Sequence, residues 1–141
     1  QSYTLSLHDA LPIWKNQMAV FIDGPTKSFV ASAAIAQFAR VKVASDGTIA
    51  TAVLADVEIG IAQQAAFAAG DVVTVRLRNA GGTQKAIALA AITAGNAVFS
   101  AAAGKVSNTA TGAYRLGTAL ETSAADGDII EILYATPGAV A

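Results

Sequence analysis

AAGDVVTVRL (residues 68–77) and ADGDIIEILY (residues 125–134) are nearly the same phrase written twice. In each, a Gly-Asp pair follows small residues and leads into large apolar side chains. Gly takes positive φ without a Cβ penalty and Asp bonds nearby backbone amides, so the pair is turn chemistry. Beyond it, Val73, Val75 and Leu77 alternate with Thr74, Arg76 and Arg78. Ile130, Ile132 and Tyr134 alternate around Glu131, with Leu133 breaking the pattern. A period of two marks a strand with one buried face.

The match extends outward without gaps to residues 47–77 and 104–134, at a constant offset of 57. Gly47, Gly60, Gly70 and Asp71 meet Gly104, Gly117, Gly127 and Asp128, while Ile49, Ile59, Val72, Val73 and Val75 meet Val106, Leu116, Ile129, Ile130 and Ile132. A partial third copy, TAGNAVFS, occupies residues 93–100. Asp46-Gly47 reads as a tight turn, and Gly47 and Gly104 each open a short strand. Further strands are expected over 18–22, 39–43, 57–62, 84–91 and 113–120, with a hairpin joining 71–78 to 84–91 around Gly81-Gly82. Residues 31–39 and 61–69, rich in Ala and Gln, suit a helical turn or two.

Short strands punctuated by Gly, Asp and Asn at spacings of roughly ten residues indicate an all-β fold, a small barrel or sandwich. Two units are too few for a solenoid, which needs about three. The expectation is therefore two similar β-units around one shared core, with at most one or two short helical turns.

The chain of 141 residues suits one domain of ordinary size. A domain near that length buries about 68–70% of its unfolded surface and needs no disulfide or metal staple. Cysteine is absent, which removes thiol catalysis and Cys-ligated zinc. Net charge is −1, without the basic stripe that nucleic acid demands. Charged residues make up 13%, against roughly 25% in an average soluble domain. Mean hydropathy is +0.51. Either abundant Ala inflates that index, or partner subunits cover much of the surface. Residues 86–104 carry no charge over a length that could span a bilayer, but Ala dominates them and Gly95-Asn96 sits near their middle, so no membrane span is expected.

The opening QSYTLSLHDALPI (residues 1–13) differs in composition and holds the single histidine, His8. It resembles translated sequencing-adapter sequence, and a non-native leader of that kind is excluded from fold reasoning. Residues 14–38 are expected to form an N-terminal arm or edge strand, or the first strand of the barrel, and 39–141 a single β-domain containing the repeat. Within residues 18–30, Val20, Phe21, Ile22, Phe29 and Val30 surround a Gly24-Pro25 break, which suits pairing with a neighbour.

No catalytic, cofactor-binding or metal site is assigned. Without a histidine outside the leader, a Ser-His-acid set cannot be built. Asp46, Asp56, Glu58, Asp71, Glu121, Asp126, Asp128 and Glu131 are read mostly as turn residues or as outward positions on strands. Counting Asp126 as the first position of a calcium loop puts Pro137 where Glu is required. Gly81-Gly82-Thr83-Gln84-Lys85 lacks the P-loop spacing. Arg76, Arg78 and Lys85 are expected to gather near the hairpin as a solvated face. Most of Phe21, Phe29, Phe38, Phe67, Phe99, Tyr114 and Tyr134 are assigned to core packing.

The order of motifs over residues 92–133, from Ala94-Gly95-Asn96 through Gly104-Lys105-Val106 and Leu116–Glu121 to Gly127–Ile132, resembles the capsid decoration, or cement, proteins of tailed bacteriophages. Residues 46–77 resemble the first half of the same family, so the likeness covers about 39–135. It implies a tulip-like β-fold without enzymatic activity or cofactor. It further implies a virion location on the outer capsid surface, the major capsid protein as partner, a homo-oligomer with a trimer favoured, and stabilisation of the capsid lattice. The alternative is a non-catalytic β-domain of a phage or bacterial surface appendage that binds glycan or protein.

Overall fold

The computed structural model describes residues 24–134, all β apart from one short 3-10 turn at Ala102–Gly104. Ten strands follow in order: β1 (Thr26–Val30), β2 (Arg40–Val43), β3 (Ile49–Thr51), β4 (Gly60–Ala62), β5 (Val72–Leu77), β6 (Gln84–Ile87), β7 (Ala97–Ser100), β8 (Val106–Ser107), β9 (Arg115–Ala119) and β10 (Ile129–Tyr134). They form two five-stranded sheets, ordered β1-β5-β4-β2-β3 and β6-β10-β9-β7-β8. In each, the two outer strands meet again through a parallel bridge, Ala31 to Ile49 and Ala88 to Val106, so the sheet curls back on itself.

The 57-residue offset holds through every strand and nearly every turn. Ala31 N–H donates to Asp71 O as Ala88 N–H does to Asp128 O, and Gly70 donates to Ala31 O as Gly127 does to Ala88 O. The Asp71 carboxylate accepts from the amides of Phe67 and Ala68, and that of Asp128 from Ala124 and Ala125. These Gly-Asp pairs recur because each closes the same turn and caps the loop before it. The repeat also runs further back than sequence comparison shows, since β1 matches β6 and β2 matches β7 at the same spacing.

Residues 93–100 are accordingly the counterpart of 36–43, although they share the local turn. Turns with a positive φ at their third residue recur at Phe38 (67°), Gly70 (96°), Gly95 (91°) and Gly127 (97°), and again at Gly104 (72°) and Gly112 (70°). Phe38 is the exception by residue type, and a non-Gly residue held there costs roughly 1–2 kcal/mol. Its ring packs against both hydrophobic cores, which offsets that strain.

Two of those cores exist where one shared interior was expected. The first gathers Val41, Ile49, Val73 and Val75 of the first unit; the second gathers Val98, Leu116, Ile130 and Ile132. Each sheet curls tightly enough to enclose its own inward face. Ile87 enters the first core and Ile61 the second, and these crossings join the units.

Two further expectations are corrected. Residues 31–39 and 61–69 form no helix: Ile35 and Ala66 exchange both backbone hydrogen bonds, which draws the segments together as extended chain. Helix propensity is worth tenths of a kcal/mol per residue, so pairing across the core overrides it. The hairpin 71–78/84–91 is also absent, because β5 and β6 lie in different sheets and residues 78–83 cross between the units. The strand expected over 18–22 lies outside the described residues.

Candidate interaction surface

The largest buried polar group was not visible in the pattern. Arg40, on β2, is fully buried, and each of its three nitrogens donates. Nε reaches Lys105 O at 2.9 Å, Nη1 reaches Glu58 Oε1 at 3.3 Å and Asp56 O at 3.4 Å, and Nη2 reaches Val53 O at 3.1 Å and Ala101 O at 2.6 Å. Ala101 and Lys105 belong to the second unit, so the guanidinium staples the two units together. Glu58 is equally buried, correcting its reading as an outward residue. Its second oxygen accepts from Tyr134 Oη at 2.7 Å, and Arg78 lies 5.7 Å from the Tyr134 ring centroid.

Beside this chain lies an apolar groove of about 820 Å³, walled by Val57, Ile59, Leu77, Leu133 and Tyr134. Burial, and then the Glu58 carboxylate, push the Tyr134 phenol well above its ordinary value. A raised acid pKa means that the folded state holds its proton longer than the unfolded chain does. The contribution is present below pH of about 10 and is lost as pH rises beyond it. In an alkaline titration followed by tyrosinate absorbance, Tyr134 is expected to ionise only with unfolding, and Tyr134→Phe to remove that late step alone.

The other carboxylates serve local structure. Asp46 accepts from Thr48, and Asp56 pairs with Lys42 at 2.8 Å and accepts from the Val53 amide, which together lower its pKa. Asp126 pairs with Lys105 at 2.7 Å, and Glu121 accepts from the Glu131 amide. Arg76, Arg78 and Lys85 do not gather. Arg78 faces the apolar groove, while Arg76 and Lys85 line a separate polar cleft of about 860 Å³ with Phe38, Gln84 and Glu131. Among the described residues no group of three or more His, Asp or Glu is placed to hold a metal ion, and no helix is long and apolar enough to cross a membrane.

One end of the first unit is unusually apolar for a surface. Phe67 is 86% exposed, correcting its assignment to the core, and Tyr114, on the second unit, is exposed as well. Val72 (62%) and Val30 (45%) are cross-strand partners at the same end of the β1/β5 pair, and Val43 (42%) lines a groove with them. The alternation that revealed the strands could not reveal this, because it does not say which face a partner covers.

A sequence model of the phage cement protein family matches residues 23–134, the whole double unit. The chain belongs to that family. It is a phage structural protein associated with the virion, which agrees with the resemblance read from residues 39–135. The solved head fiber gp8.5 N base in bacteriophage phi29 has a similar fold, with a TM-score of 0.65 at 16% identity, over 78% of this chain and 92% of that one. No curated protein matches in sequence.

Proposed function

We propose that the protein binds the outer surface of a phage head and stabilises its lattice by bridging major capsid proteins, without catalysing a reaction. Membership of the cement family over both units carries this reading. The surface supports it: few charges, and large apolar residues exposed together at one end of the first unit. Such patches on a folded domain mark sites of association. A cement protein acts through buried interface area, and a homo-oligomer, a trimer by resemblance, multiplies that area by presenting several copies at once.

Purified protein added to expanded, undecorated heads is expected to bind saturably and to raise their resistance to heat or chelator. Light scattering of the free protein gives the oligomer number. Binding to a glycan array with no binding to heads replaces this reading with that of an appendage domain.

A further inference from the structure

The duplication supplies an internal control, because a feature present in one unit and missing from its twin is not needed for the fold. The apolar end of the first unit is such a feature. Phe67, Val30 and Val43 have as counterparts Ala124, Ile87 and Ser100. Ile87 is buried in the first core and Ser100 is buried with its hydroxyl donating to Leu54 O. Ala124 is exposed but presents a single methyl, so of the large apolar counterparts only that of Val72, Ile129, stays exposed.

The strand beside this patch has an open edge. Ala31 donates to Asp71 O, and Leu77 donates to Pro25 O, so odd-numbered residues of β1 direct their backbone groups toward β5. In an antiparallel pair these positions alternate, and Thr26, Ser28 and Val30 therefore point their N–H and C=O groups away. Among the described residues that side meets another strand only at its end, where the Ala31–Ile49 bridge and the Ser32 N–H to Ile49 O bond close the sheet against β3; Thr26 and Ser28 have no strand partner there. The groove along it, about 510 Å³, is lined by Lys27, Phe29, Val30, Val43 and Val72.

We propose, building on the head-binding reading above, that β1 accepts an extended strand of a capsid protein along its open edge, with Phe67 as the adjoining anchor. Backbone hydrogen bonds at Thr26 and Ser28 hold the incoming strand, and its apolar side chains fill the groove. Lys27 has no carboxylate partner among the described residues, so the strand that fits carries an acidic residue opposite it. Lys27 and Pro25 are also the residue types that discourage an edge from pairing with its own kind, which favours a foreign strand over a second copy.

The test uses the whole protein and undecorated heads. Ser28→Pro removes an outward N–H that β5 does not use and blocks strand addition, whereas Ser28→Ala leaves the backbone able to pair. With the wild type binding, Ser28→Pro and Phe67→Ala are each expected to weaken occupancy about tenfold or more, the effect of losing an interface anchor, and Ser28→Ala to leave it unchanged. Amide exchange at Thr26 and Ser28 is expected to slow only on heads, a readout that holds even if Ser28→Pro folds poorly. Protection of these amides in the free protein at every dilution overturns the proposal by showing the edge already covered within the chain. Protection that grows with concentration of the free protein assigns the edge to a second copy instead. Unchanged exchange on heads that do bind overturns it too, whereas absence of wild-type binding defeats the head-binding reading itself.

Discussion

Replacing Arg40 by Met is expected to lower stability by about 3–5 kcal/mol, the usual result of removing one member of a buried ion pair. For a domain of this size that corresponds to a fall in melting temperature of roughly 10–20 °C. The loss has two sources. Glu58 keeps its Tyr134 hydrogen bond but loses its ion-pair partner, and the carbonyls of Asp56 and Ala101 lose the guanidinium donor, while those of Val53 and Lys105 are left with a backbone N–H alone. A buried carboxylate without its cation is costly, so Arg40→Met with Glu58→Gln is expected to recover at least about 1 kcal/mol of the deficit. Thermal unfolding of the three proteins measures both effects. A single variant within about 1 kcal/mol of wild type shows that apolar contacts alone join the units.

Gly60→Ala is expected to cost more than about 3 kcal/mol, beyond ordinary overpacking, because a methyl at this position has no space. A Cβ built there lies 2.2 Å from the carbonyl oxygen of Arg76 and 2.9 Å from its carbonyl carbon. These are backbone atoms of the neighbouring strand β5, so relief requires parting β4 from β5 in the middle of the sheet. Gly47→Ala is the informative comparison. It sits at φ +85° with nothing within 4 Å of the added carbon, so it incurs strain without collision, about 1–2 kcal/mol. Denaturant unfolding of the pair separates the two origins. Equal losses would show that β5 yields to the methyl.

Much of the architecture was legible because a repeat compounds weak signals. One Gly-Asp pair is a commonplace turn; two, in phase with alternating Val and Ile, specify two copies of a turn and the strand that follows it. The copies of β2 and β7 were harder to see, because Phe38 stands where Gly95 stands and Arg40 where Ala97 stands. Both substitutions join the units, one through an aromatic ring and one through a guanidinium, so the residues that connect the halves are those that hide the repeat.

By itself the sequence settles the β-character, the doubling and the recurring Gly turns, since these follow from side-chain period and from the φ that each residue type tolerates. Partnership is different. Whether residues 78–83 turn back as a hairpin or cross to another sheet, whether Glu58 faces water or Arg40, and whether Phe67 fills a core or protrudes depend on atoms dozens of residues away. Local chemistry is the same in both cases, and only closure of two separate sheets, each around its own interior, decides between them.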